Sequence, residues 1–445
     1  MKNLRKALLA SLALLTATGC TNGAASVGSS AKTAEATGTA TPYAPPKESG
    51  YNKEKPGRIA YTADGNAHDQ DDWAATPGSL SILAAVGLQD ALVHYDYNDN
   101  TADHTGVFPM SFTQEMRDSV ANAAYFFGYE AQDLVGETTD SIFYDDSLYE
   151  QNAIDHLAGE IEKSTEDDPL YIILGGPAEI VYEAMEKAQK GKDHIMVISH
   201  SQWNEWAEAD GSWCKRGPKD GLHTLEQCGI TLENGNLIRI QDQNAVTVGE
   251  TKTPMLCITS DKTKEQQTQE DFDALYAPVQ WMKNAKNPGL NYIYDRLVDM
   301  TREEDDTDKC DMSDAGMMLY LLDGLVENNY ESLEKWYEKY DFLNTDARLD
   351  KSLSLDQLNS DVLKVAYQDA IEVKAGEEVK LPETVKVTLG DRETTADVAV
   401  QWDGNSEQFA EPGVYVCSGT LTLGEGMTNV KGRKAYQVVH VASAN

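Results

Sequence analysis

The chain has 445 residues, with 74 Asp and Glu against 37 Lys and Arg, and a formal charge of −37. A field of that sign repels phosphate backbones and anionic lipid, which excludes nucleic-acid binding and suits a surface protein that recruits divalent cations and handles uncharged ligands. The six scattered cysteines contain no C-x-x-C pair, excluding a zinc ribbon and a disulfide scaffold while leaving open a bridge between Cys214 and Cys228.

In chain order, "MKNLRKALLASLALLTATGC" combines a basic start, a short apolar core and small residues before Cys20. That is the pattern of a bacterial secretory signal over 1–19. The "ATGC" ending resembles a lipobox, which implies that cleavage leaves Cys20 first and lipidated, with the protein exported and anchored to the cell membrane. Loss of Lys2, Arg5 and Lys6 with the signal takes the charge to about −40. Residues 20–56, rich in Ala, Thr, Gly, Ser and Pro, read as a flexible tether.

From 57 to 330 apolar strand-like runs alternate with helical patterns. "RIAYTA" leads to a helix expected over 78–87, and "ALVHYDY" (91–97) to one near 113–127. "LYIILG" (170–175) precedes "AEIVYEAMEKAQK", "HIMVIS" covers 194–199, and "NLIRIQ" and "PMLCIT" are later short strands. Runs apolar on both faces and separated by helices predict an α/β domain with a Rossmann-like, mostly parallel sheet wrapped by helices. Residues 331–363 read as a helical linker. From 364 to 445, "EEVKLPETVKVTLGD", "ADVAVQW", "GVYVCSGTLTL" and "RKAYQVVHVAS" alternate with period two, which predicts a small all-β sandwich. "LPETVKVTLGD…VAVQWD…PGVYVCSGTL" resembles the bacterial Ig-like domains of surface proteins, implying a glycan or protein partner at the cell surface.

The chemistry gathers where strands should end. "DGNAHDQDDWAA" places Asp64, Asp69, Asp71 and Asp72 between the first strand and the first helix. Left unpaired, such carboxylates repel one another and must stay hydrated or find a cation. At the carboxyl ends of an open sheet, near a helix N-terminus, they can hold a hard cation through oxygen, and calcium fits best outside a cell. "YIILGGPAEIV" exposes backbone carbonyls at Gly175, "VISHSQWNEW" brings His200, Trp203 and Asn204, and "SDAGMMLYLL" puts Asp314 at the head of an apolar helix. "IRIQDQNA" adds Asp242 and Asn244; Trp with amides suits stacking on a sugar face and bonding its hydroxyls. The acidic run 301–311 reads as solvated loop, and Met317 and Met318 as helix core.

"DGNAHDQDD", "LGGPAEI" and "SDAGMMLYLL", in that order, resemble the nucleoside hydrolase superfamily over residues 57–330, and more closely its secreted, hydrolase-like sugar-binding relatives with a D-P-D-D variant. The resemblance implies calcium held by Asp72, Asp314, the Gly175 carbonyl and Asp64, with Asp71 holding a sugar hydroxyl. A cluster carboxylate would take a proton from the attacking water through an oxocarbenium-like transition state. Two departures stand out. The superfamily's second Asp falls on Asn66, which cannot accept that proton, so Asp69 would take the role. Its leaving-group His is Ser313, so His68, His200 or His223 would supply the acid. Asn66, His200, Trp203, Asn204, His223, Asp242 and Asn244 are the expected substrate contacts. The reading is a calcium-dependent hydrolase of nucleosides or small glycosides; its rival is a calcium-dependent sugar-binding module without turnover.

Overall fold

A computed structural model describes residues 48–65, 70–99, 111–201, 204–205, 223–241, 243, 247–248, 251–252, 256–260, 262, 266–303, 309–325, 328–403 and 409–443. The expectations for Cys20, Asn66, His68, Asp69, Trp203, Cys214, Asp242 and Asn244 lie outside these residues.

The first half is a parallel sheet wound on both sides. Strand β1 (Arg58–Ala63) is followed by helix α1 (Asp72–Ala85), β2 (Leu92–Tyr97), α2 (Ser111–Phe127), β3 (Phe143–Asp145), α3 (Asp146–Glu162), β4 (Leu170–Gly175), α4 (Glu179–Lys187), β5 (Ile195–Ser199) and β6 (Leu237–Arg239). The strands lie in the order β3-β2-β1-β4-β5-β6, all parallel, so β1 is central between β2 and β4. Side chains alternate along each strand, and both sets are apolar because both faces are covered. Tyr61, Tyr95, Ile173 and Ile198 face the core that includes α1 and α2. Ala60, Ile172, Leu174 and Val197 face α3 and α4, packing on Leu157, Ile161 and Val181.

The apolar run predicts a helix from residue 78, yet α1 begins at Asp72 and carries Pro77 inside it. Proline has no N–H to give to the carbonyl four residues back, that of Trp73. Ser119 Oγ of α2 supplies the missing donor, 2.8 Å from Trp73 O. The helix is buried on nearly every side from Asp72 to Leu83, which is why it shows little amphipathic period.

Beyond the sheet, strand β7 (Cys257–Thr259), helix α5 (Pro288–Glu303), β8 (Lys309–Asp311), α6 (Ala315–Asp323) and α7 (Tyr330–Lys339) follow, with two shorter helices at Gln269–Tyr276 and Gln280–Asn284. The acidic run 301–311 is not all solvated loop: its last three residues pair antiparallel with β7, and Cys310 and Asp311 are buried. Cys310 and Met312 are apolar anchors, so the intervening Asp311 is carried inside with them. Met317 and Met318 are core helix, as expected. No helix among the described residues is long and apolar enough to cross a membrane. Cys228 is a free thiol whose Sγ donates to Leu225 O.

The C-terminal part is an all-β sheet of β9 (Val362–Val365), β10 (Ile371–Lys374), β11 (Thr384–Leu389), β12 (Thr395–Trp402), β13 (Gly413–Thr422) and β14 (Lys434–Ala442). Their order is β9-β11-β12-β13-β14-β10, antiparallel except for the parallel β10–β14 pair. Two apolar clusters serve it, one around Val387, Val398 and Leu421, the other around Phe409, Cys417 and Val439. Strand β9 packs on α2, where Asn122 Nδ2 donates to Leu363 O at 3.0 Å. Arg433 pairs with Asp118 of α2, and Lys364 with Glu115 at 2.8 Å. Arg296, wholly buried, donates to Glu115 at 2.9 Å and to Asp299 at 2.8 Å, and its guanidinium sits 5.1 Å over the Trp73 ring.

Candidate functional site

Four strand ends place the candidate residues. β1 releases the chain at Asp64, and the left-handed turn at Gly65 (φ +61°) brings its N–H between two carboxylates. It donates to Asp64 Oδ1 at 2.7 Å and to Asp72 Oδ2 at 2.8 Å. One backbone donor thus holds together two acids that are eight residues apart. Asp72 also lies within side-chain hydrogen-bonding reach of Asp314, from the distant α6 segment. Asp64, Asp71, Asp72 and Asp314 are all buried.

The floor is the turn after β4. Gly175 pairs with Ala63 in the sheet, and a Cβ on Gly176 would lie 2.7 Å from Asp64 N. Glycine there lets the β4 turn pass directly beneath the carboxylates. The Gly176→Ala variant is expected to lose about 1–3 kcal/mol of stability, because the clash is with backbone rather than a movable side chain. Urea unfolding beside wild type measures the loss, and an unchanged midpoint would refute this close approach. Asn204 Nδ2 donates to Leu174 O at 3.3 Å, which fixes that residue at the end of the same strand.

Asp71 and Asp314 occupy helix N-cap positions, yet neither side chain caps its helix. Both are turned to the cluster instead. Ser313 Oγ donates to Asp71 Oδ2 at 3.3 Å, while Asp71 Oδ1 is buried and meets no donor. His200, expected among the substrate contacts, is bonded through Nε2 to Asp314 Oδ1. Its Nδ1 accepts the Gln243 backbone N–H at 3.3 Å, so the ring proton sits on Nε2 and points at Asp314. His200 therefore orients Asp314.

The electrostatics follow from burial of like charges. Desolvation, then the bonded and Coulombic influence of Asp72 and the charges of Asp71 and Asp314, drive Asp64 well above the ordinary carboxylate range. Desolvation raises Asp314 against the opposing pull of His200. Asp311, on β8, is pushed up to about 7 by burial and by Asp71. Asp311 and the buried Tyr61, whose hydroxyl is raised by burial and by Asp314, were not singled out from sequence. Their only signal is proximity in the chain to Asp314 and Asp64.

This donor set fits a hard divalent cation. It is all oxygen, it is rich in carboxyl groups, and it contains a buried carboxylate oxygen without a donor at Asp71. Asp64, Asp72 and Asp314 are the residues that would hold the ion, beside the Gly175 ledge.

His223 lies elsewhere. Its backbone N–H and ring Nδ1 both meet Glu179 of α4 at 2.8 Å, and the ring stacks on Tyr182 at 3.7 Å. Among the described residues, Glu179, Glu183 and His223 each offer a ligand atom within 4.8 Å of the others. Both Glu179 oxygens already accept from His223, so this group serves as a clamp on the chain entering at 223.

Comparison with known proteins adds two facts. The chain is 27% identical over 274 residues to an uncharacterized protein of Formosa agariphila, an alignment covering 60% of this chain and 84% of that one. Residues 369–424 match the family of bacterial Ig-like domains, group 4. The matched segment runs from just before β10 to just beyond β13. The chain thus joins a parallel α/β sheet to a C-terminal bacterial Ig-like domain.

Proposed function

We propose that this chain is a calcium-dependent hydrolase of N-glycosidic bonds in ribonucleoside-like substrates, or of related glycosidic bonds. It works outside the cytoplasmic membrane, to which lipidated Cys20 anchors it, and its Ig-like domain faces a surface glycan or protein. The observation that carries the reading is the meeting of Asp64 and Asp72 with the distant Asp314 beside the Gly175–Gly176 turn. In a desolvated place such a group is costly unless a cation belongs there. Calcium, when bound, supplies a Lewis acid that holds sugar hydroxyls and favours ionisation of water.

The chain's own residues do the rest. Asp71 accepts a sugar hydroxyl through the oxygen that Ser313 leaves free. His200 keeps Asp314 aimed. A carboxylate of the 64–72 segment, Asp69 by the sequence argument, takes the proton of the attacking water as positive charge builds at the anomeric carbon.

One observation favours the second reading, a sugar-binding module without turnover. The Ser313 hydroxyl is committed to Asp71, so no proton donor for a leaving group stands at that position. A panel of nucleosides and small glycosides, assayed for released reducing sugar with calcium and with chelator, separates the two. Release that falls at least roughly hundredfold in chelator supports hydrolysis. Calcium-dependent binding by calorimetry without release supports the module, and neither binding nor release refutes both.

A further inference from the structure

Two glutamates and a histidine meet on α4, apart from the carboxylates of the cleft. Glu179 and Glu183 stand one helical turn apart, which brings their side chains to the same face of α4. His223 comes from the chain that precedes β6, and its surroundings hold it in place. The turn that follows it, Leu225–Cys228, is closed by Thr224 and Gln227, each of whose side chains bonds the other's backbone N–H. Leu225 anchors that turn in the same apolar cluster as Ile180, Val181 and Ala184 of α4. The imidazole lies flat on the Tyr182 ring, with centroids 3.7 Å apart and 6° between the planes. Packing thus orients the ring and the helix face that carries the carboxylates, as a preorganised ligand set requires.

One ligand atom from each of Glu179, Glu183 and His223 lies within 4.8 Å of the other two. Glu179 accepts from the His223 backbone N–H and from Nδ1, both at 2.8 Å, and the Glu183 side chain makes no hydrogen bond or ion pair among the described residues. Two carboxylates are therefore brought together without a Lys or Arg paired to either among those residues. Like charges so close repel unless a proton or a cation lies between them, and the Nδ1 proton serves Glu179 only. A divalent ion in its place serves all three groups. In a tetrahedral zinc site with bonds of about 2.0–2.1 Å, neighbouring donor atoms stand about 3.3 Å apart. That spacing falls between the 2.8 Å of the His223–Glu179 bond and the 4.8 Å span of the set. The mixture of imidazole nitrogen and carboxylate oxygen suits zinc, whereas calcium takes oxygen ligands.

We propose that Glu179, Glu183 and His223 bind a zinc ion, with water completing its coordination. The site is separate from the Asp64–Asp72–Asp314 group and does not depend on the hydrolase reading. Zinc there fastens the chain entering at 223 to α4 and strengthens the clamp that the His223–Glu179 bonds form.

Calorimetric titration of zinc into the purified full chain, with excess calcium present to compete for all-oxygen sites, tests the proposal. Wild type is expected to bind one zinc ion per chain. Affinity should fall at least roughly hundredfold in Glu183→Gln and in His223→Ala, each of which removes one of the ligands. Glu183→Gln is near-isosteric and breaks no described hydrogen bond, so it decides the matter should His223→Ala loosen the turn. Asp72→Ala/Asp314→Ala should bind zinc as wild type does. Absence of zinc binding by wild type overturns the proposal, and so does undiminished affinity in Glu183→Gln. Zinc binding that is lost in Asp72→Ala/Asp314→Ala and kept in Glu183→Gln would place the ion in the cleft and overturn it equally.

Discussion

Alanine at Asp72 or at Asp314 is expected to abolish sugar release and the calcium stabilisation that comes from the cleft. Calcium at a hundred times its Kd stabilises a single-site protein by about 2.7 kcal/mol, about 3 °C in Tm for a chain of this size. In the proposed site either variant removes a ligand and leaves the remaining acids without a cation to share. The effect also depends on pH. An aspartate titrates near 3.8 when unfolded, whereas burial and Asp71 push Asp311 to about 7 in the folded chain. Between those values the folded chain holds the extra proton, so in chelator its stability falls as pH rises from about 4 to about 7. Calcium relieves the same repulsion, so its stabilising shift should grow across that interval. Thermal scans with and without calcium at several pH values measure both effects. An equal calcium shift in wild type and both alanine variants would refute the cleft as a cation site.

Arg433→Met is expected to destabilise the folded chain by about 3–5 kcal/mol, the usual cost of stranding a buried charge. Arg433 and Asp118 are 3% and 1% exposed, and the guanidinium also donates to Leu363 O at 3.4 Å. Without it Asp118 keeps its charge in a desolvated seam between α2 and the β part. Lys386→Met is the matched control, because Lys386 and Asp397 pair in the open at 56% and 66% exposure. Its loss should cost under about 1 kcal/mol. Urea unfolding of the two variants compares them directly. Equal midpoints would mean that the seam contributes nothing. The double change Asp118→Leu/Arg433→Leu should recover much of the loss, since it removes both charges together.

The elements differ in how readily the sequence exposes them. β1, β2, β4 and β5 are short apolar runs bounded by polar residues, and the Ig-like strands alternate with period two, so local pattern suffices for both. α1 was harder, since a helix buried all round has no amphipathic stripe and Pro77 argues against it until Ser119 is seen to replace the lost donor. Asp311 was read as solvent-facing because its neighbours in sequence are acidic. Its pairing with Cys257 in β7 takes it inside.

What the sequence by itself determined is the alternation of strands and helices, the period-two segment after residue 364, and the collection of Asp64, Asp71, Asp72 and Asp314 at element boundaries. These depend on spacings of two to four residues, which local sterics and hydrophobic burial impose on the chain directly. Tertiary structure alone decided which polar atoms meet: His200 with Asp314 across 114 residues, Ser313 with Asp71 across 242, and Arg433 with Asp118 of α2. Such pairs leave no periodic trace. The first two arise because packing the parallel sheet draws its carboxyl ends together and the third because β9 packs on α2, and burial then makes each charge depend on the nearest partner it can find.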